Sequence, residues 1–316
     1  MSQAKAQILK RNCPACDAAR GREQGQRNGF QMLRCQTCGT LYTSSLPDST
    51  GAQDYDGYYS AENLTVPDFI HSRLNDIVAG FDAYRQTNRL LEVGFGAGAL
   101  LQAAARAGWQ TLGVEVSRTA VESAREQGFE VFCGELSEAA YPAGHFDVVT
   151  ASELLEHVPD PLPLLREIAR ILRPGGLFWA TTPHAKGASS RLLGLEWKVI
   201  SPPEHLHLFS RNGIKRLMLK AGFQVVHVDT QGLNPVEVWR TLRGERGGVS
   251  TGPAGAVETE GRTSHQETAA SGRLASSYQL NEAMTKSPSR RAVKRMVNGL
   301  LNASRLGDSL KIYAVR

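Results

Sequence analysis

Between Leu90 and Gly98 the chain reads Leu-Leu-Glu-Val-Gly-Phe-Gly-Ala-Gly: an apolar run, an acid, then three glycines at alternate positions. The apolar run has the length of a short buried strand, and the glycines predict a tight turn free of side chains that leads into a helix. Such a turn lets a ligand lie against bare backbone at a helix start. About twenty residues later a second apolar run, Leu112 to Val114, closes on Glu115, an acid placed to take two hydroxyls of a ribose. Together the two segments predict a nucleoside-bearing cofactor.

Strand and helix patterns alternate from residue 89 to residue 182. Strands are expected at 90–93, 111–116, 130–133, 146–150 and 177–182. Helices are expected at 99–107, from a Ser117 cap to Gly128, and through 164–172, where Arg173-Pro174-Gly175-Gly176 stops the last one. Alternation of this kind implies a parallel sheet covered on both faces, with ligands at the carboxyl ends of the strands. Further on, Ser210 caps a helix to Ala221, residues 223–228 form a strand, and residues 310–315 form a final one.

Cys13, Cys16, Cys35 and Cys38 form C-x2-C-x18-C-x2-C, the spacing of a closed four-thiolate zinc site. A closed site of this type is structural, so the N-terminal unit is expected to dock or recognise rather than react. Cys133 reads as a small buried residue in a strand. The expected organisation is therefore a zinc ribbon at 1–45, a linker and lead-in helix at 46–88, and a cofactor-binding core at 89–245. A segment at 246–290 is rich in Gly, Ser, Thr, Glu and Pro and has the composition of a disordered insertion, and residues 291–316 hold a basic amphipathic helix and the last strand. The lead-in helix is read over 68–86 from Ile70, Leu74, Ile77, Val78, Phe81 and Tyr84. Tyr55, Tyr58 and Tyr59 either lid a pocket or pack within the linker. The basic helix either packs on the core or meets a membrane surface or a protein partner.

The glycine spacing chooses between cofactors. A dinucleotide site wants its third glycine three residues after the second, under a pyrophosphate. Here Gly94, Gly96 and Gly98 fall at even steps, and Glu92 lies inside the strand, where a carboxylate opposes a pyrophosphate and suits a cation. S-adenosylmethionine (SAM) has an ammonium, a sulfonium and no phosphate. The run from Glu92 to Gly98 resembles motif I of class I SAM-dependent methyltransferases, Glu115 resembles their ribose acid, and Gly134-Glu135-Leu136 the segment whose acid meets the adenine amino group. Phe146-Asp147-Val148-Val149, Leu154-Leu155-Glu156-His157-Val158 and Leu172-Arg173-Pro174-Gly175-Gly176 are similar to their fourth strand, its following turn and the turn before the fifth strand. The resemblance implies an α/β, Rossmann-like sheet of seven strands with the last one antiparallel. It also implies SAM contacts from Glu92, Gly94, Phe95, Gly96, Gly98, Glu115, Glu135 and Leu136.

The pairing of a zinc ribbon with such a domain is also similar to bacterial methyltransferases of natural-product and glycan pathways. Glu204-His205, within the run from Pro203 to Ser210, resembles the Glu-His pair of sugar C-methyltransferases, whose longer C-terminal domain has no counterpart here. Histidine suits a base because its pKa lies near neutrality. His157, His184, His205 and His207 are candidates; the resemblance points to His205 with Glu204, and the alternative is a loop histidine that orders backbone. Glu153, Glu156 and His157 would share a face if their turn were helical. The same Glu-x-x-Glu-His spacing occurs in ubiquinone-pathway O-methyltransferases, where it is associated with a divalent metal; the alternative is that Glu156-His157 shapes the cofactor pocket.

Charge bears on the partner. Residues 61–245 hold 18 Lys and Arg against 21 Asp and Glu, while residues 246–316 hold 11 against 5. An acidic catalytic core argues against a nucleic-acid substrate, and so against an RNA methyltransferase. The expected function is transfer of a methyl group to O or C of a small-molecule or glycan acceptor, and a non-catalytic SAM-binding scaffold is the reading from another class. With no apolar h-region at the start and no run long enough to span a bilayer, a cytoplasmic protein is expected.

Overall fold

The computed structural model describes residues 11–47, 68–233 and 288–316, with Pro235, Val238, Trp239 and Arg243 between them. Tyr55, Tyr58, Tyr59 and the expected insertion up to residue 287 lie outside the described residues.

The N-terminal unit is a hairpin, Gly21–Arg27 (β1) and Phe30–Cys35 (β2), with Leu41–Thr43 (β3) added antiparallel to β2. Its turn is Asn28-Gly29, both with positive φ, which matches the right-handed twist of the two strands. Residues 41–43 thus add a third strand to the cysteine unit.

The helix Asp68–Ala79 (α1) is shorter than the expected 68–86. Gly80 ends it, and a 3-10 turn at Asp82–Tyr84 keeps Phe81 in the core beside Val78. The core elements then follow in order: Arg89–Val93 (β4), Ala99–Arg106 (α2), Gln110–Glu115 (β5), Arg118–Glu126 (α3), Glu130–Cys133 (β6), Phe146–Ser152 (β7), Pro161–Ile171 (α4) and Leu172–Pro183 (β8). Next come Ala188–Leu193 (α5), His207–Leu208 (β9), Arg211–Ala221 (α6), Val225–Gln231 (β10), Pro288–Ser304 (α7) and Ser309–Val315 (β11). Ser117 and Ser210 cap their helices as expected, each accepting a backbone N–H. Arg173 to Gly176 do not stand apart as a turn. They lie inside β8, where a register shift opposite Phe146 and Val148 absorbs them.

The large sheet has seven strands in the order β10-β11-β8-β7-β4-β5-β6. β11 alone runs antiparallel to its neighbours, as expected of the last strand. Alternating residues of β4 serve the two faces. Leu91 and Val93 join Val149, Phe178 and Ile312 under α4 and α6, while Leu90 joins Val148, Leu177 and Trp179 under α1 and α2. Burial on both faces is what permits the parallel run. Cys133 is half-buried rather than buried, packed beside the α3 cluster.

A second sheet has the order β1-β2-β3-β9. Its last strand comes from the chain beyond β8, so the cysteine unit and the core share one ladder through Leu41–Leu208 and Tyr42–His207. The Ser210 hydroxyl strengthens the joint by donating to the Cys38 carbonyl at 2.5 Å. Helix α7 begins at Pro288, inside the segment expected to be irregular. Asn298 and Asn302 bond β10 and the residue after it, whereas Val293, Met296, Val297 and Leu300 are exposed. Among the described residues no helix is long and apolar enough to cross a membrane.

Candidate functional site

At the carboxyl end of β4 the chain turns through Gly94, Gly96 and Gly98, all with left-handed φ of 69°, 51° and 69°. Side chains rarely adopt that backbone, which is why glycine recurs at steps of two. Phe95, between two of them, is buried against Gly113 of β5. A Cβ there would lie 2.7 Å from the Phe95 ring, so the neighbouring strand must be bare at this level.

Two buried acids organise the turn. Glu115 accepts from the backbone N–H of Gly96 (3.0 Å), Val116 (2.8 Å) and Ser117 (3.1 Å), which fixes the glycine turn against the end of β5. Glu92 accepts from Leu101 N–H at 3.1 Å, inside the first turn of α2. Burial, with a smaller push from the Glu115 charge, raises the Glu92 carboxyl from 4.5 to about 8. A cation placed beside it would favour the ionised form. Glu135 lies in the exposed turn after β6, and the Leu136 side chain is buried in the main core. The eight residues expected around SAM thus fall at or just after the carboxyl ends of β4, β5 and β6.

The four candidate histidines separate into two kinds. His184 and His207 are buried and tied to carbonyls, His184 Nδ1–H to Gly307 (2.9 Å) and His207 Nε2–H to Leu155 (2.9 Å). Burial first of all lowers them to about 4 and about 3, so they serve as neutral structural groups. His157 and His205 instead come together, their ring centroids 4.7 Å apart. The Nδ1–H of His157 donates to the Glu204 carbonyl (2.9 Å) and that of His205 to the Val199 carbonyl (2.6 Å). The Glu204 side chain is turned away, accepting from the Ser201 hydroxyl at 3.3 Å.

Glu156 completes this cluster. The turn that carries it is not helical, and Glu153 has a positive φ of 51° and is exposed, so the anticipated shared face does not form. Glu156 is fully buried; its Oε2 accepts from Thr182 (2.9 Å), and its Oε1 has no hydrogen-bond partner among the described residues. Burial, then the Glu153 charge, raises its carboxyl well above the ordinary value. Ligand atoms of Glu156, His157 and His205 lie within 4.8 Å of one another. An orphaned carboxylate oxygen beside two imidazoles fits a divalent cation in donor type, with both histidines oriented by carbonyls as metal ligands usually are. Thr182 and the joining of His157 to His205 were not expected from the sequence, because no spacing signals a contact between distant loops.

The Sγ atoms of Cys13 and Cys38 are 3.6 Å apart, as are those of Cys16 and Cys35, and all four lie within 4.8 Å. A tetrahedral zinc with bonds of ~2.3 Å needs sulfurs about 3.8 Å apart, so the cluster fits that ion.

Comparison with known proteins bears on the same edge of the sheet. A methyltransferase domain profile matches residues 66–228. The ubiquinone biosynthesis O-methyltransferase of Ralstonia nicotianae is 35% identical over 159 residues, 48% of this chain and 64% of that protein. The enzyme of the same name from Methylococcus capsulatus is 32% identical over 161 residues, covering 47% and 68%. A SAM-dependent methyltransferase from Archaeoglobus fulgidus, 16% identical, is alike in fold with a TM-score of 0.50, covering 81% of this chain and 96% of that one.

Proposed function

The chain belongs to the methyltransferase domain family and is a SAM-dependent methyltransferase; from that premise we propose that it methylates a hydroxyl oxygen of a small molecule, with His205 as the base. The observation that carries this reading is the meeting of His157 and His205 next to buried Glu156, beyond the end of β7. The oxygen is chosen because the relatives named above are O-methyltransferases; a glycan hydroxyl would satisfy the same chemistry.

SAM supplies a methyl group on a sulfonium. Its methionine end would lie on the backbone of Gly94, Phe95, Gly96 and Gly98 with its positive charge toward Glu92. Glu115 would take the ribose hydroxyls, and Glu135 and Leu136 would border the adenine. The acceptor oxygen forms a bond to the methyl carbon as the carbon–sulfur bond breaks, and that electron pair leaves with the sulfur. The hydroxyl proton passes to His205 Nε2, the nitrogen that the Val199 carbonyl leaves to accept. His157 is the poorer base, because burial holds its conjugate acid to about 4. Glu204 acts through its carbonyl, which orients His157.

A second reading has a specific observation in its favour, the orphaned Oε1 of Glu156. Glu156, His157 and His205 would then hold a divalent cation, which would supply a positive charge to bind and acidify the acceptor hydroxyl. The zinc site of Cys13, Cys16, Cys35 and Cys38 has a structural part in either case.

The test is product formation from SAM with a panel of hydroxylated small molecules, carbon acids, glycans and RNA. Methyl ethers as products support the reading, and transfer confined to carbon acids or RNA would overturn it. Mn2+ binding measured by electron paramagnetic resonance distinguishes the second reading from the first.

A further inference from the structure

The side chain of Arg11 bonds both the cysteine unit and the two loops that carry the histidine cluster. Its Nε donates to the Thr43 carbonyl of β3 (2.9 Å), and its Nη1 donates to the Pro159 carbonyl (3.3 Å), two residues beyond His157. Its Nη2 donates to the Leu206 carbonyl (3.1 Å), next to His205, and to His207 Nδ1 (3.3 Å). The direction of the last bond follows from His207 itself, whose Nε2–H is committed to Leu155 and whose Nδ1 therefore accepts. The guanidinium also lies 5.8 Å from the centre of the Tyr42 ring.

Three segments distant in sequence therefore end on one planar group. One is the ribbon strand β3. The second is the loop after β7, which carries Glu156 and His157. The third is the run into β9, which carries His205. Backbone bonds close the same knot: Leu206 N–H donates to the Glu156 carbonyl (2.9 Å), and the Leu206 carbonyl also accepts from Thr43 N–H (3.0 Å). Arg11 is itself placed by the ribbon, since it stands two residues before Cys13 and its N–H donates to the Ser44 carbonyl (3.0 Å).

We propose that Arg11 is a positioning residue for the methyl transfer, holding the His157 and His205 loops in mutual register from the cysteine unit. The inference rests on His205 as the base. A planar fork with five N–H donors can serve all of these acceptors at once, whereas a lysine ammonium reaches one or two of them. The glycine turn, Glu92 and Glu115 make none of these bonds, so SAM binding does not depend on Arg11.

The experiment uses the full chain with its metal complement. Arg11→Ala, Arg11→Lys and His205→Ala are compared with the parent for kcat, KM, SAM dissociation constant by calorimetry, and thermal midpoint. The expected result for Arg11→Ala is a loss in kcat of roughly 10- to 100-fold, for a displacement of about an ångström at the base, with the SAM constant unchanged and part of the loss restored in Arg11→Lys. Parent-like kcat in Arg11→Ala with an inactive His205→Ala would overturn the positioning role alone. Loss of SAM affinity in step with a lowered midpoint in both Arg11 variants would also overturn it, assigning Arg11 to stability. Full activity in His205→Ala would instead remove the base reading, whatever Arg11 does.

Discussion

His157 and His205 meet edge to face at 4.7 Å, although they stand on loops that follow different strands. Each is fixed through Nδ1 by a backbone carbonyl, so both rings have a defined orientation. The two should not be equivalent. His205→Ala is expected to lower kcat by about 10²- to 10⁴-fold, the usual worth of a general base. His157→Ala should cost less, since a group held to about 4 orients its neighbour rather than keeping a proton. Single-turnover kinetics at saturating SAM, with calorimetry to show unchanged SAM affinity, checks the difference. Equal losses in the two variants would count against His205 as the sole base.

SAM binding is expected to depend on pH through Glu92. Its carboxyl is raised from 4.5 to about 8 in the folded chain, so the free protein carries it protonated at neutral pH. A cation beside it favours the ionised form, and binding should release a proton. Affinity for SAM is then expected to strengthen by roughly tenfold per pH unit as pH rises toward 8, and to level off above it. The stability of the free protein runs the other way. A raised carboxyl contributes full stability below its unfolded value and loses it as pH climbs through the folded one. Glu92→Gln should flatten both trends and weaken binding, which calorimetry in buffers of different ionisation enthalpy, with melting curves from pH 5 to 9, would reveal.

Much of this was legible in the chain. The glycine turn, the acid Glu115, the helix caps Ser117 and Ser210 and the antiparallel last strand are local signals. Each follows from a few neighbouring residues: the glycines take left-handed φ, Glu115 ends β5, both serines cap their helices and β11 runs antiparallel. What was not legible is long-range. Nothing in the run from Pro203 to Ser210 says that His207 and Leu208 will pair with Tyr42 and Leu41, or that His205 will reach His157. The hairpin had one local signal, the Asn28-Gly29 turn, but Gly21–Arg27 is polar throughout and carries no strand alternation. Glu153, Glu156 and His157 suggested a helical face. The left-handed backbone at Glu153 breaks that face and sends Glu156 inward to Thr182 instead.

Glu156 separates the two readings of the cluster. Its carboxyl is raised by burial, and its Oε1 lacks a hydrogen-bond partner among the described residues. If the site works without a cation, burial favours the neutral form of the Glu156 carboxyl. Glu156→Gln is then a near-isostere that retains most of the activity and melts higher at alkaline pH. If a divalent cation sits there, Glu156→Gln loses it. Mn2+ binding by electron paramagnetic resonance and activity should then fall together, and removing the divalent cation from the parent should give the same result. The first outcome is the one expected from His205 as base.

Asp147 illustrates a motif residue whose work is structural. Its Oδ2 accepts from the backbone N–H of Gln86 (2.8 Å), Thr87 (2.7 Å) and Asn88 (2.8 Å), and its Oδ1 accepts from Arg173 Nε at 2.6 Å. These bonds tie the entry to β4 and the bulged start of β8 to the middle strand β7. The Arg173 partner is the largest of the influences that hold the carboxyl below its ordinary value, and the three N–H groups add to it against the cost of burial. Removing one partner of a buried pair leaves the other charge and the N–H groups unmet, so Asp147→Ala should destabilise the fold by about 3–5 kcal/mol. Because the folded carboxyl is lowered, its contribution is present above the unfolded value and is lost as pH falls through the folded one. Urea titrations of the parent and the variant should therefore differ most at neutral pH and converge as pH falls below the ordinary carboxylate value. A difference that stayed constant across that range would show that packing around Asp147, rather than its charge, holds the two strand ends.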